Sequence, residues 1–306
     1  MRVIAVPLML LLTSAGLAAQ QRDTPAPAER ATPTFRNSAA ELVVLPVTVT
    51  DRSGRLVDDL PREAFAVYDE GQRQTIEAFS REDSPVSIAL VIDSSGSMNS
   101  KMGEVVAATL AFARSSHPED QLLVVEFNER VRDALDGRGI TASDLPALER
   151  ALQGLRPAGQ TALYDALTDG LDHLERAEHA RRVLVLVSDG GDNASTATLG
   201  AVLERARRSN VTLYAIGLYD EDARDTNPGV LKQLAEATGG TRFLPKSPGR
   251  MLAACQQIAR EIRASYTVGY APPARDGRYH HLRVEVTGSG HQGLRVRTRP
   301  GYVAGQ

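Results

Sequence analysis

The chain has 306 residues, 42% of them hydrophobic and 24% charged, with a formal net charge of −3. This length can hold one large domain and a smaller one with a buried core, and the composition is typical of a globular protein. The slightly negative charge, and arginine clusters without stacking aromatics, argue against a nucleic-acid partner. The single cysteine, Cys255, cannot form an intramolecular disulfide, and its apolar helical setting predicts a buried side chain.

Residues 1–19 have the pattern of a secretory signal peptide. Arg2 is followed by an apolar stretch from Val3 to Leu12 and then by small residues up to Ala19. This stretch is too short to span a bilayer comfortably and no later one is long enough, so we expect no transmembrane segment in the mature chain. We therefore expect a secreted or periplasmic bacterial protein, with an uncleaved N-terminal anchor as the alternative. Residues 20–39, rich in Pro, Ala, Thr and Arg, are expected to form a flexible linker.

Alternating apolar and polar residues predict short strands in two flanking segments. The first segment covers residues 40–82 and includes Leu42–Thr50 and a hairpin pattern at Asp69–Gly71. The second covers residues 265–303 and contains the adjacent pair His280-His281, which we interpret as exposed polar side chains rather than metal ligands. We expect the two segments to form one small all-β module. The alternative is that they extend two edges of a larger sheet.

Residues 85–264 have a different pattern, which predicts an α/β domain. Continuous apolar runs, typical of strands buried on both faces of a parallel sheet, lie at Ile88–Ile92, Leu122–Phe127, Val183–Val187 and Val211–Ile216. Four stretches of apolar residues at helical spacing begin at Leu163, Leu199, Val230 and Met251. This alternation predicts a doubly wound, mostly parallel sheet with helices on both faces and right-handed crossovers.

Three loops of this domain carry oxygen-bearing side chains at strand or helix ends. The segment Asp93-Ser94-Ser95-Gly96-Ser97 follows the first buried strand, Thr161 opens a long helix, and Asp189 follows another strand. Ligands of an open parallel sheet bind at the carboxyl ends of its strands, so we expect these loops to converge. Their candidate metal ligands are Asp93, Ser95, Ser97, Thr161 and Asp189. Such oxygens suit Mg²⁺, Ca²⁺ or Mn²⁺ rather than zinc or copper.

These motifs, in this order, resemble those of the von Willebrand factor type A domains with a metal-ion-dependent adhesion site. Asp93–Met98 matches that family's Asp-x-Ser-x-Ser motif, Gly159–Ala166 resembles its threonine loop, and Ser188–Gly190 resembles its aspartate loop. The resemblance covers about residues 86–263 and implies a Rossmann-like fold. The flanking segments are similar to those of bacterial secreted proteins with a related domain.

The resemblance also implies a role for each ligand. Ser95 and Ser97 would bind the ion directly, Thr161 directly or through water, and Asp93 and Asp189 mainly through water. The sixth position would accept an Asp or Glu carboxylate of a partner protein. We therefore predict an exported, metal-dependent protein-binding module of the adhesion type.

The same residues are compatible with two other functions. In the first, the chain is a structural component of a cell-envelope assembly, and the metal only stabilises it. In the second, it is a metal-assisted hydrolase that uses Asp93 or Asp189 as a base. No histidine falls in a strand-end loop beside the serines, and no nucleophile-elbow or phosphate-loop motif is present, so we expect a protein that is not an enzyme.

Overall fold

The computed structural model describes residues 42–81, 83–219, 226–288 and 290–305. The predicted signal peptide, residues 1–19, and the predicted linker, residues 20–39, lie outside the described residues. The first strands in chain order are β1 (Val43–Thr50), β2 (Phe65–Asp69), β3 (Gln72–Gln74) and β4 (Ala78–Ser80). Three alternate residues of β1 are fully buried, as the sequence pattern requires: Leu45, Val47 and Val49.

The next strands form a seven-stranded sheet at the centre of the α/β domain. They are β5 (Ser87–Asp93), β6 (Gln121–Phe127), β7 (Val131–Asp133), β8 (Ile140–Thr141), β9 (Arg182–Ser188), β10 (Val211–Gly217) and β11 (Arg242–Phe243). The spatial order is β11-β10-β9-β5-β6-β7, with β8 also paired to β6. Only β7 and β8 are antiparallel to their neighbour. The neighbours of β5 are β6 on one side and β9 on the other, so the strand order reverses here, as it does where such sheets bind ligands.

The helices of the described residues cover both faces of this sheet. They are α1 (Met102–Ser115), α2 (Leu145–Gln153), α3 (Leu163–Glu175), α4 (Leu199–Arg208), α5 (Pro228–Ala237) and α6 (Pro248–Ala264). Helices α1, α2 and α6 share one hydrophobic core with the sheet, and α3, α4 and α5 share the other. Ile88 and Ala89 of β5 lie in different cores, because successive side chains of a strand point to opposite faces. The predicted doubly wound α/β fold is confirmed.

The last strands return to the first ones. They are β12 (Tyr266–Tyr270), β13 (Tyr279–Val286), β14 (Arg295–Arg297) and β15 (Gly301–Val303). Strand β1 pairs antiparallel with β12 and β14, and β2 pairs antiparallel with β13. Two four-stranded sheets result, β14-β1-β12-β4 and β15-β13-β2-β3, with a hydrophobic core of their own. We call β1–β4 and β12–β15 the β module. The predicted module is confirmed, and the alternative of two extended edges is wrong.

The β module corrects our interpretation of the adjacent histidines on β13. His281 is exposed, but His280 is buried, and its Nδ1 lies 2.9 Å from a carboxylate oxygen of Asp69. The other Asp69 oxygen accepts hydrogen bonds from the hydroxyls of Tyr270 and Tyr302, each at 2.8 Å. The prediction of an exposed side chain is therefore wrong for His280, because its ring is buried beside the carboxylate of Asp69.

Helix α6 carries the single cysteine. Cys255 is 3% exposed, and burial raises the pKa of its thiol to about 12, so it is a small core residue as predicted. Among the residues described, no helix is both long and apolar enough to cross a membrane.

Candidate metal site

The first loop of the candidate site begins at the end of β5. Asp93 is the last residue of β5 and is fully buried. Its Oδ1 accepts a hydrogen bond from the backbone N–H of Ser95 at 2.8 Å, and its Oδ2 accepts one from the hydroxyl of Ser188 at 2.7 Å. A short 3₁₀ turn at Gly96–Met98 follows and leaves Ser97 exposed. The carboxylate is thus fixed from two sides, by its own loop and by the end of β9.

Asp189 comes directly after β9 and joins the same group. Its Oδ2 accepts a hydrogen bond from the Ser97 hydroxyl at 2.7 Å, and its Oδ1 accepts one from the N–H of Gly191 at 3.0 Å. The hydroxyl oxygens of Ser95 and Ser97 lie 3.1 Å apart. Hydrogen bonds therefore connect four of the five predicted ligands: Asp93, Ser95, Ser97 and Asp189.

The threonine loop lies against the first loop through its backbone. The N–H of Ala158 donates to the carbonyl of Ser94 at 2.9 Å, and the N–H of Gly96 donates to the carbonyl of Gly159 at 3.2 Å. Thr161 itself is 7% exposed. The threonine loop, which contains Thr161, therefore lies directly beside the Asp-x-Ser-x-Ser loop.

Two polar side chains outside the motifs hold the threonine loop in place. The N–H of Thr161 donates to Oδ1 of Asn193 at 2.9 Å, and the N–H of Gln160 donates to Oε2 of Glu129 at 3.0 Å. Gly159 has a φ of +76°, and a Cβ there would collide with the Glu129 carboxylate. Only glycine fits this position without strain, because L side chains rarely adopt this backbone conformation.

The electrostatics of the site leave negative charge uncompensated. Burial is the main cause that raises the pKa of Asp93 to about 6. The nearby Asp189 carboxylate acts in the same direction, while hydrogen bonds from Ser95 and Ser188 oppose the shift. No lysine, arginine or histidine in the described ranges forms an ion pair with either carboxylate. Burying a charge without a partner is costly, so two enclosed carboxylates beside the hydroxyls of Ser95 and Ser97 fit a hard divalent cation.

The site is also unlike those that bind metals through several acidic or histidine ligands. Across the described part of the chain, no group of three or more His, Cys, Asp and Glu side chains could hold a metal ion. A divalent ion at Asp93 and Asp189 would therefore depend on hydroxyls and water for its other ligands, as Mg²⁺ commonly does.

The fold and these loops define a class of protein, and a family comparison agrees with it. The model of the von Willebrand factor type A domain matches residues 87–252, more than half of the chain. The chain belongs to the von Willebrand factor type A domain family, as its motifs predicted.

Curated relatives resemble this chain at lower identity. An uncharacterized protein of Synechocystis is 26% identical over 184 residues, which cover 58% of this chain and 42% of that protein. The inter-alpha-trypsin inhibitor heavy chain H2 of Mus musculus is 24% identical over 215 residues, covering 66% of this chain and 22% of that protein. The chain thus spans less than half the length of these relatives.

Solved structures support the fold alone. A von Willebrand factor type A protein from Catenulispora acidiphila has a TM-score of 0.53 at 16% identity, covering 88% of this chain and 75% of that one. Proximal thread matrix protein 1 of the mussel byssus has a TM-score of 0.51 at 17% identity, covering 64% and 51%. Another structure of that byssus protein is described as having a zinc-occupied metal-ion-dependent adhesion motif.

Proposed function

We propose that this chain is an exported, metal-dependent protein-binding module of the adhesion type. Domains of its family are commonly metal-dependent adhesion or protein-interaction modules. In the proposal, a divalent cation is held by Asp93, Ser95, Ser97, Thr161 and Asp189, and an Asp or Glu carboxylate of a partner protein completes its coordination. We propose Mg²⁺ as the ion, with Ca²⁺ and Mn²⁺ as the other candidates.

The observation that carries the proposal is a pair of buried carboxylates that form no ion pair with any described basic side chain and lie next to the exposed residue Ser97. Asp93 and Asp189 are 0% and 4% exposed, whereas Ser97 is exposed and hydrogen-bonded to Asp189. When bound, the cation supplies positive charge at the surface, which attracts a carboxylate from another molecule. Ser97 is the residue at which a bound ion and a docking protein can meet.

The hydrogen bonds of the two carboxylates, Asp93 and Asp189, support a positioning role for each. Asp93 orients the Ser95 backbone and receives the hydroxyl of Ser188, so it fixes the first loop against β9. Asp189 holds the Ser97 hydroxyl and is itself held by the N–H of Gly191. These hydrogen bonds hold the carboxylate oxygens in fixed positions, so the oxygens could orient water molecules bound to an ion.

The structural alternative also has an observation in its favour. Asp93 and Ser95 are 0% and 1% exposed, so a cation bound there would stabilise the fold even with no partner. The hydrolase alternative, in which Asp93 or Asp189 acts as the base, has no such observation in its favour. Both carboxylates are buried, and each of their oxygens already accepts a hydrogen bond.

Capture of partners from the native cell envelope distinguishes these alternatives. Wild type, Ser97→Ala and Ser100→Ala are immobilised with Mg²⁺ or with EDTA. Ser100 is an exposed serine three residues further along and is the matched control. We expect the same protein to be retained by wild type and Ser100→Ala in Mg²⁺, and lost with EDTA or Ser97→Ala.

The captured protein then serves to test the carboxylate. Asp→Asn and Glu→Gln variants of its surface should include one that abolishes binding. Retention that survives EDTA, while EDTA lowers the melting temperature, would establish the structural alternative instead. Mg²⁺, Ca²⁺, Mn²⁺ and Zn²⁺ are compared in the same experiment, because the byssus relative is described with zinc in its motif.

Export is a separate part of the proposal and rests on the sequence of residues 1–19. Expression of the whole chain in a bacterium, followed by mass spectrometry of the exported protein, should give an N-terminus near Ala19 or Gln20. A cell-associated protein that keeps Met1 would favour the membrane anchor.

A further inference from the structure

A cavity lined by arginines lies at the end of the α/β domain away from the candidate metal site. The metal site is at the carboxyl ends of the parallel strands, whereas this cavity includes Asn210, which directly precedes β10. The cavity has a volume of about 170 Å³ and is enclosed by the end of α4 and by parts of the β module. Its charged lining residues are Arg208, Arg275 and Arg299, and no acidic residue lines it among those described.

Arg299 is the fixed part of this lining. It is 5% exposed, and its guanidinium donates three hydrogen bonds, all to neutral oxygens. Nε donates to the Gly301 carbonyl at 3.0 Å, Nη1 to Oδ1 of Asn210 at 3.3 Å, and Nη2 to the Arg207 carbonyl at 2.6 Å. A guanidinium has five N–H donors, so Nη1 and Nη2 each keep one more N–H for another acceptor.

The positive charge of Arg299 has no counterion within the described ranges. No carboxylate forms an ion pair with it, and burial lowers the pKa of its guanidinium to about 10. The group is therefore still charged near neutral pH, but it is enclosed in a place where charge is costly. A bound anion would remove that cost.

The other two arginines of the lining, Arg208 and Arg275, are exposed and are not held by a buried partner. Arg275 is exposed and forms no ion pair in the part of the chain that the structure describes. Arg208 lies 2.6 Å from Glu204, with side chains 42% and 64% exposed, so that pair is weak and open to competition. Glu204 does not line the cavity. Three guanidinium groups therefore surround one cavity in a protein whose net charge is −3.

We propose that this cavity binds a phosphate-bearing anion. Guanidinium groups recognise phosphate oxygens through paired N–H donors, and three of them match a dianion better than a single-charged carboxylate or halide. The cavity is several times the roughly 30 Å³ that one water occupies in the liquid, so it has room for a phosphate and a small substituent. Arg299 serves as the fixed donor, and Arg208 and Arg275 contact the remaining oxygens.

The source of the phosphate is either a soluble phosphate ester or a phosphomonoester lipid headgroup. Glycerol 3-phosphate and vesicles containing phosphatidic acid represent the two. Both are used with the full chain in EDTA, so that no divalent cation links phosphate to the candidate metal site. Calorimetric titration measures binding of the ester, and co-sedimentation measures binding to vesicles, against vesicles of phosphatidylcholine alone.

The decisive variant is Arg275→Gln, because Arg275 is exposed and its loss should not unfold the protein. Arg73→Gln, an exposed arginine on β3, is the matched control. We expect Arg275→Gln to weaken binding about tenfold and Arg208→Gln/Arg275→Gln to abolish it, while Arg73→Gln binds as wild type does. Binding that follows only the ester or only the vesicles identifies the source. No binding of either by wild type, or equal binding by wild type and the double variant, would overturn the proposal.

Discussion

Asp69 in the β module and Asp93 in the α/β domain are both buried, at 1% and 0% exposure, but their surroundings differ. Asp69 accepts hydrogen bonds from the hydroxyls of Tyr270 and Tyr302, and His280 lies beside its other oxygen. Asp93 accepts hydrogen bonds from the backbone N–H of Ser95 and from the hydroxyl of Ser188, which are both neutral donors. The first carboxylate lies beside His280, a side chain that can carry positive charge, whereas the second has no basic partner among the described residues.

This difference separates a structural polar network from a binding site. A buried network whose members all have partners stabilises one conformation and requires no ligand. A buried carboxylate that lies near a second one, with no cation between them, has an unfavourable energy until a cation arrives. The same residue type is therefore structural in the β module and is proposed to be functional in the α/β domain.

The largest expected effect comes from removing the centre of the structural network. Asp69→Ala leaves two tyrosine hydroxyls and His280 buried without their partner, so we expect the free energy of unfolding to fall by roughly 3–5 kcal/mol. Urea denaturation measures this change. Mg²⁺ affinity, measured well below the unfolding midpoint, should stay as in wild type. A parallel loss of affinity would contradict the separation of the two carboxylates.

The reverse result is expected at the candidate metal site. In Asp189→Asn the amide can still accept from the Gly191 N–H and can donate to the Ser97 hydroxyl, while one negative charge is removed. We expect the metal-free variant to be at least as stable as wild type. At a Mg²⁺ concentration of 100 times the wild-type Kd, wild type should gain about 2.7 kcal/mol and the variant should gain almost none. A metal-free variant markedly less stable than wild type would place Asp189 with Asp69 among structural carboxylates.

A smaller effect concerns the pH dependence of the β module. Burial alone would lower the pKa of His280, but its hydrogen bonds with Asp69 and Asp276 outweigh burial and raise that pKa above the usual value. A raised pKa in the folded state stabilises the protein fully below the unfolded pKa of about 6.5, and this contribution is lost as the pH rises through the folded pKa. The free energy of unfolding should therefore fall as the pH rises above about 6.5.

His280→Gln tests this pH dependence with urea denaturation at several pH values. The variant should lose the decline with rising pH, even if it is less stable throughout. His281→Gln is the control, because His281 lies next to it on β13 but is exposed. If the free energy of unfolding depends on pH equally in wild type and His280→Gln, the carboxylates do not raise the pKa of His280.

The central strands and the long helices could be predicted because their residues obey a local rule. The apolar runs of β5, β6, β9 and β10 and the periodicity of α3 to α6 correspond to observed elements. Helix α1 is not among the elements that periodicity predicts. It is rich in alanine, and no side chain caps its N-terminus at Lys101. The helix depends on packing against the sheet and α6, which a local pattern does not contain.

The same limit applies to the candidate site. The five candidate ligands could be proposed because their residue types follow one another in a recognisable order along the chain. Glu129 and Asn193 were missed, because each accepts a hydrogen bond from a backbone N–H more than thirty residues away and lies in none of the three metal-site motifs. His280 was misassigned for a similar reason, since its partner Asp69 is 211 residues away in the sequence. Spacing identifies ligand types, whereas the side chains that position them depend on the tertiary fold.

The central claim is that the uncompensated carboxylates and hydroxyls form a divalent-cation site, and calorimetric titration of Mg²⁺ tests it most directly. Wild type and Ser100→Ala should each bind one ion per chain with the same affinity. Ser97→Ala should bind at least ten times more weakly, a loss of about 1.4 kcal/mol or more, because it removes a hydroxyl held against Asp189. Equal affinity in wild type and Ser97→Ala would contradict the claim.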